Sequence, residues 1–119
     1  MSERWIEPAA TPEQREVCRR FGAELLVPDP MQKVGVALRT LHGVPFVAMR
    51  YLPVLDTCGW YIYGGEYSEA DDFFQSVHVF HLAEYCPQFL PYLALAPGWG
   101  VVLAPDYEDV WFDTKFLQE

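Results

Sequence analysis

The run Gly59-Trp60-Tyr61-Ile62-Tyr63, closed by Gly64-Gly65, constrains the fold of this chain more than any other stretch. Aromatic and β-branched side chains suit a pleated, half-buried surface, so these five residues read as a strand. The paired glycines break it, because glycine accepts the positive φ that a sharp change of direction requires. Side chains alternate across a strand, which sends Trp60 and Ile62 to one face and Tyr61 and Tyr63 to the other. Trp60 and Ile62 are expected in the core. Tyr61 and Tyr63 are expected to face outward, beside the carboxylates that follow.

Other elements fall into place around this strand. Thr11-Pro12-Glu13-Gln14 is a helix start, with Thr as N-cap, Pro at the first helical position and Gln closing a capping box. Val17, Cys18, Phe21 and Leu25 recur at helical spacing, and the helix is expected over about 12–26, weakened at Gly22 and ended by Pro28-Asp29-Pro30. Lys33 to Leu41 and Phe46 to Tyr51 read as strands joined through His42-Gly43-Val44-Pro45. Ser68 is placed to cap a short helical turn through Phe74, and Val77 to Phe80 is a brief extended piece. His81 to Leu95 reads as a helix interrupted at Pro87 and Pro91. Trp99 to Leu103 and Glu108 to Phe112 are the last strands, each preceded by a turn. The expected architecture is α+β: a single domain over 1–119, with a mainly antiparallel sheet of about five strands. An N-terminal helix and a central Pro-interrupted helix pack on it.

Composition narrows the function classes. A 119-residue chain with 51% hydrophobic residues has material for one folded core. No apolar run is long enough for a transmembrane helix, and Met1 to Glu7 lacks the basic start and apolar stretch of a secretion signal. Cys18, Cys58 and Cys86 are odd in number and widely spaced, which argues against a disulfide framework and fits a reducing cytoplasm. The net charge of −9 is lopsided. Residues 1–50 carry seven Lys+Arg against six acids, whereas residues 51–119 carry Lys115 alone against eleven acids. Such a surface repels phosphate backbones, so no nucleic-acid partner is expected, and it favours a basic protein.

The chain resembles a known family on a specific set of residues. These are the hydrophobic strand ending in Arg, Val47-Ala48-Met49-Arg50, then Asp56, Gly59-Trp60 and Gly65-Glu66 with the acids after it. Pro87-Gln88-Phe89-Leu90-Pro91-Tyr92-Leu93, the turn at Gly98 and the acidic-aromatic C-terminal strand complete the pattern. On these it is similar to the bacterial immunity proteins of polymorphic toxin systems, family thirty-three, over about residues 45–113. It departs from the family pattern at Thr57-Cys58, which inserts one extra residue between Asp56 and Gly59. The resemblance implies a non-enzymatic protein that binds and neutralises a cognate toxin. Arg50, Asp56, Gly59, Trp60, Gly65, Pro91, Gly98 and Trp111 then read as structural positions.

Several constellations bear on chemistry. Glu66, Glu69, Asp71 and Asp72 offer paired carboxylates, but general acid catalysis needs one buried acid, and a run this dense in a Gly/Ser-flanked loop is solvated. His78, His81 and Glu84 are spaced by three, yet a strand-to-helix change between them scatters the side chains, so no metal is expected. Cys58, with His42, His78 or His81 as base, is the one candidate nucleophile, and it reads better as a small core residue. No cofactor motif is present. The expected contact surface combines Tyr61, Tyr63, Glu66, Tyr67, Glu69, Asp71 and Asp72 with Tyr107, Glu108, Asp109 and Asp113. Aromatics anchor interfaces and charged rims set association rates. A small-ligand or regulatory domain using an aromatic pocket, and a small hydrolase, are the rival readings; homodimerisation is left open.

Overall fold

A computed structural model describes residues 9–118; Met1–Glu7, read above for a secretion signal, lie outside them. The aromatic run becomes β3, Thr57–Gly64, and sits inside a sheet. The other strands are β1 Lys33–Val36, β2 Phe46–Arg50, β4 Gln75–His78, β5 Trp99–Ala104 and β6 Tyr107–Phe112. Their order is β4-β1-β3-β2-β5-β6. The architecture is α+β as expected, but the sheet has six strands and is mixed. β1 runs parallel to β3, while every other neighbouring pair is antiparallel. β2 lies on the far side of β3, so the chain crosses between β1 and β2, and strand direction of that kind leaves no mark on composition.

Three element boundaries differ from the sequence expectation, each for a local reason. The N-terminal helix, α1, spans Pro12–Phe21 and stops at Gly22, which adopts φ +68 and donates its N–H back to Arg19. Its capping box forms: Thr11 Oγ1 accepts from Gln14 N at 3.1 Å, and Gln14 Oε1 accepts from Thr11 N at 3.0 Å. The expected strand to Leu41 ends at Val36 and passes into a 3-10 turn, Leu38–Thr40, whose first N–H donates to Gln75 Oε1 on β4. The expected helix over 81–95 is broken into short pieces: 3-10 turns at Val79–His81 and Pro87–Tyr92 around a single helical turn, α2, Leu82–Tyr85. Cys86 leaves helical geometry at φ −147, as a residue before proline is forced to do.

α1 and the segment 79–96 cover one face of the sheet. Against them lie Val34, Val36, Phe46, Ala48, Cys58, Trp60, Ile62 and Val101, all buried. Trp60 is the centre of this core. Its ring meets Phe89 edge-on at 4.7 Å and its indole N–H donates to Leu93 O at 2.9 Å. Gln14, also buried, ties α1 to the covering segment by donating to Leu90 O. Among the described residues Arg50 is the one buried charge, 1% exposed, and it joins three segments through carbonyls: Cys58 of β3, Leu26 after α1, and Leu95. Burial pulls its guanidinium down to about 10, which leaves it charged at neutral pH.

Candidate functional site

Among the described residues no α-helix covers the opposite face of the sheet. Strand alternation sends Val47 and Met49 of β2, Tyr61 and Tyr63 of β3, Val102 of β5, and Asp109 and Trp111 of β6 to that side, in two lateral rows, Tyr63-Val47-Val102-Asp109 and Tyr61-Met49-Gly100-Trp111. Two glycines let the large rings lie close to the sheet. A Cβ on Gly35 would stand 2.6 Å from the Tyr61 ring, and one on Gly100 would stand 2.6 Å from the Trp111 ring.

The result is a continuous belt of aromatic rings. Phe116, from the 3-10 turn Thr114–Leu117, meets Tyr51 at 5.1 Å, and Tyr51 meets Tyr61 edge-on at 5.7 Å. Tyr61 meets Phe74 at 5.3 Å, Phe74 meets Phe73 at 4.9 Å, and Tyr63 and Tyr67 meet Phe73 at 5.8 and 5.5 Å. Edge-to-face and tilted geometries dominate, as the ring quadrupoles favour. Burial raises the Tyr51 and Tyr63 phenols above their ordinary value, with neighbouring phenols adding to it, so both remain protonated donors at neutral pH. Asp113 stands close enough to contribute to the rise at Tyr51.

The acids divide between the two sides. Asp109 lies beside Val102 on the open face, and Asp113 caps the C-terminal 3-10 turn by accepting from Lys115 N. Glu66, Glu69, Asp71 and Asp72 are exposed on the loop that carries Tyr67, Phe73 and Phe74 over the belt. This loop forms no helical turn, contrary to the expectation from Ser68; the Ser68 hydroxyl instead accepts from Ala70 N at 3.1 Å, closing a local turn. Tyr107 is exposed at the far end of the face, opposite Ala104. Glu108 faces the other way, toward α1, where Arg20 and the Tyr92 hydroxyl hold it. Tyr61 and Tyr63 are half-buried under the loop rather than fully outward.

The remaining sequence-marked positions are spread through the frame. Gly59 and Trp60 lie in β3, Gly65 at its end, Gly98 before β5 and Pro91 in the 3-10 turn beside Tyr92. Asp56 is exposed before β3, 3.2 Å from Lys33 Nζ. Tyr51, Phe73, Phe74 and Phe116 belong to the belt and were not singled out from sequence. The alternation that buries Phe46, Ala48 and Arg50 does place Tyr51 on the open side, so that much was readable.

The described residues of the site offer rings, hydroxyls and carboxylates, which is recognition chemistry. All three cysteines are buried with thiols raised by desolvation, Cys86 to about 11, so none is poised as a nucleophile. His81 Nδ1 lies 3.4 Å from Glu84 Oε2, and His78 stacks on Phe80. Among the described residues no group of three His, Cys, Asp or Glu side chains converges on a metal position, and no helix is long and apolar enough to cross a membrane. Comparison with known families matches the Imm33-like domain over residues 13–113. No curated protein and no solved structure matches the chain.

Proposed function

The chain belongs to the Imm33-like domain family, and from that premise we propose that it is an immunity protein that binds a cognate toxin through the open face of its sheet. The observation that carries the proposal is the aromatic belt bordered by Asp109, Asp113 and the acidic loop, on a face that no α-helix covers among the described residues. Large rigid rings supply contact area at little entropic cost, and a rim of one charge sign selects a partner of the other. With a net charge of −9, that partner is basic over its contact surface, as the cleft of an enzyme acting on an anionic substrate would be. The mode is occlusion and requires no catalysis by this chain.

The test is binding to the toxin encoded beside this chain, by titration calorimetry with purified partners. Tyr63→Ala with Tyr67→Ala, and separately Asp109→Lys with Asp113→Lys, should each weaken binding by about tenfold or more. Asp71→Lys with Asp72→Lys reports whether the outer loop acids join the contact. Unchanged affinity in both open-face pairs would move the interface elsewhere.

A further inference from the structure

A second site lies on the covered side of the sheet, away from the aromatic belt, and its reading does not depend on the toxin proposal. A cleft of about 820 Å³ opens between the segment after α1 and the turn before β3. Arg50 reaches into it from the core. Three of its five N–H groups are spent: Nε donates to Cys58 O at 3.0 Å, and Nη1 donates to Leu26 O and Leu95 O, both at 2.8 Å. Nη2 has no hydrogen-bond partner among the described residues, and no fully buried side-chain polar atom among them is left unsatisfied, so Nη2 keeps some accessible surface on the side of the cleft that Arg50 lines. No carboxylate pairs with this guanidinium among the described residues. Neutral carbonyls offset only part of the cost of withdrawing a cation from water, which leaves the free edge seeking an anion.

The walls say which kind of anion. Leu25, Leu26 and Met31 line the cleft and are 41%, 47% and 64% exposed. Next to its Pro53 wall, Val54 and Leu55 stand out at 60% and 97% exposure, and Leu55 holds φ +57. Small-molecule pockets bury most of their ligand, whereas an apolar rim this open matches a protein segment. Asp29 and Asp56 also line the cleft, the first engaged by Met31 N and the second by Lys33, and so does Arg15. Two acids oppose a dianion such as phosphate more than a single carboxylate.

We infer that the cleft receives a carboxylate carried on an apolar peptide segment of a partner protein, with Arg50 Nη2 as its hydrogen-bond donor and the leucine–methionine rim gripping the stem. The carboxylate is a chain end or an acidic side chain, and the probes separate the two. Acetyl-Leu-Leu-Leu as free acid and as amide tests the chain end; acetyl-Leu-Glu-Leu-amide against its Gln counterpart tests the side chain. Binding is followed on the full chain by NMR, through the Arg50 Nε–Hε resonance and the amides of Leu26 and Met31.

At least one acid should shift these resonances saturably, and its neutral counterpart should bind about tenfold more weakly, the discrimination a charged hydrogen bond supplies. Because an Arg50 variant risks unfolding, Met31→Glu serves as the control: it is exposed, keeps its backbone contact to Asp29, and puts a like charge at the mouth. It should weaken the acid by about tenfold. Acid and neutral peptides binding alike, no shift with either acid, or Met31→Glu leaving affinity unchanged each overturns the assignment. So does a shift of the Arg50 resonance on Glu3→Gln with Glu7→Gln in the absence of peptide, since the chain's own carboxylate then holds the guanidinium.

Discussion

Gly59 holds φ +98 in the middle of the core strand, where a Cβ would run into the carbonyl oxygen of Tyr51. Beside that carbonyl the Tyr51 N–H donates to Gly59 O at 2.8 Å and holds β3 against the end of β2. Gly65 also takes a positive φ, +74, but the nearest atom to a Cβ there is an ordinary contact 3.8 Å away. The two positions therefore separate backbone strain from collision. Gly65→Ala should cost about 1 kcal/mol from left-handed strain alone. Gly59→Ala should cost about 2–4 kcal/mol, since strand displacement adds to strain and lies beside Arg50 and Trp60. Urea unfolding monitored by tryptophan fluorescence distinguishes them; equal losses would mean the sheet yields freely at Gly59.

Between elements, the connection that most binds the N-terminal helix to the far edge of the sheet is ionic. Arg20 of α1 makes a two-pronged contact with Glu108 of β6, at 3.1 and 2.9 Å, and the Tyr92 hydroxyl donates to the same carboxylate. The Arg20 hydrogen bonds, then Tyr92, hold the Glu108 carboxyl below its ordinary range. A depressed carboxylate stabilises the fold above its unfolded pKa and loses that contribution as pH falls through the folded value. The cluster is partly exposed, so Glu108→Gln should cost only about 1 kcal/mol at neutral pH. The gap from the parent should close below about pH 4, measured by thermal melts across pH. A gap constant with pH would mean that Glu108 acts by packing alone. Sequence shows half of this arrangement. Alternation demands that Glu108 and Asp109 face opposite sides, but which side carries α1 is decided by packing 88 residues away in the chain. Gly22, which reads in sequence as a weak point, ends α1 outright, and the break at Cys86-Pro87 falls where Pro87 reads as an interruption. The Ser68 loop shows the reverse: a good N-cap residue finds its partner in a local turn, because the loop's aromatics are drawn down onto the sheet.

At the scale of the molecule, one sheet separates two kinds of surface. Its covered side spends its aromatic and apolar groups on the core around Trp60, and its open side keeps a ring belt and acids at the surface. The parity of the β3 run announced this division, whereas the parallel β1–β3 pairing and the sixth strand depended on long-range register. The charge asymmetry belongs to the same level, since residues 51–119, which build most of the open side, carry a net of −10 against +1 for residues 1–50. These two ingredients act on different rates. Long-range attraction between the acidic face and a basic toxin accelerates encounter, while ring contacts act after water has been expelled and resist separation. Stopped-flow association with the cognate toxin should therefore slow by about tenfold or more between low and physiological salt. Asp109→Lys with Asp113→Lys should lower the association rate and flatten that salt dependence, with dissociation changed less. Tyr63→Ala with Tyr67→Ala should instead speed dissociation by about tenfold and leave the salt slope intact. Both variant pairs acting on the same rate constant would show that the acids and rings do not divide the work in this way, and a salt-independent association rate would remove electrostatic steering from the account.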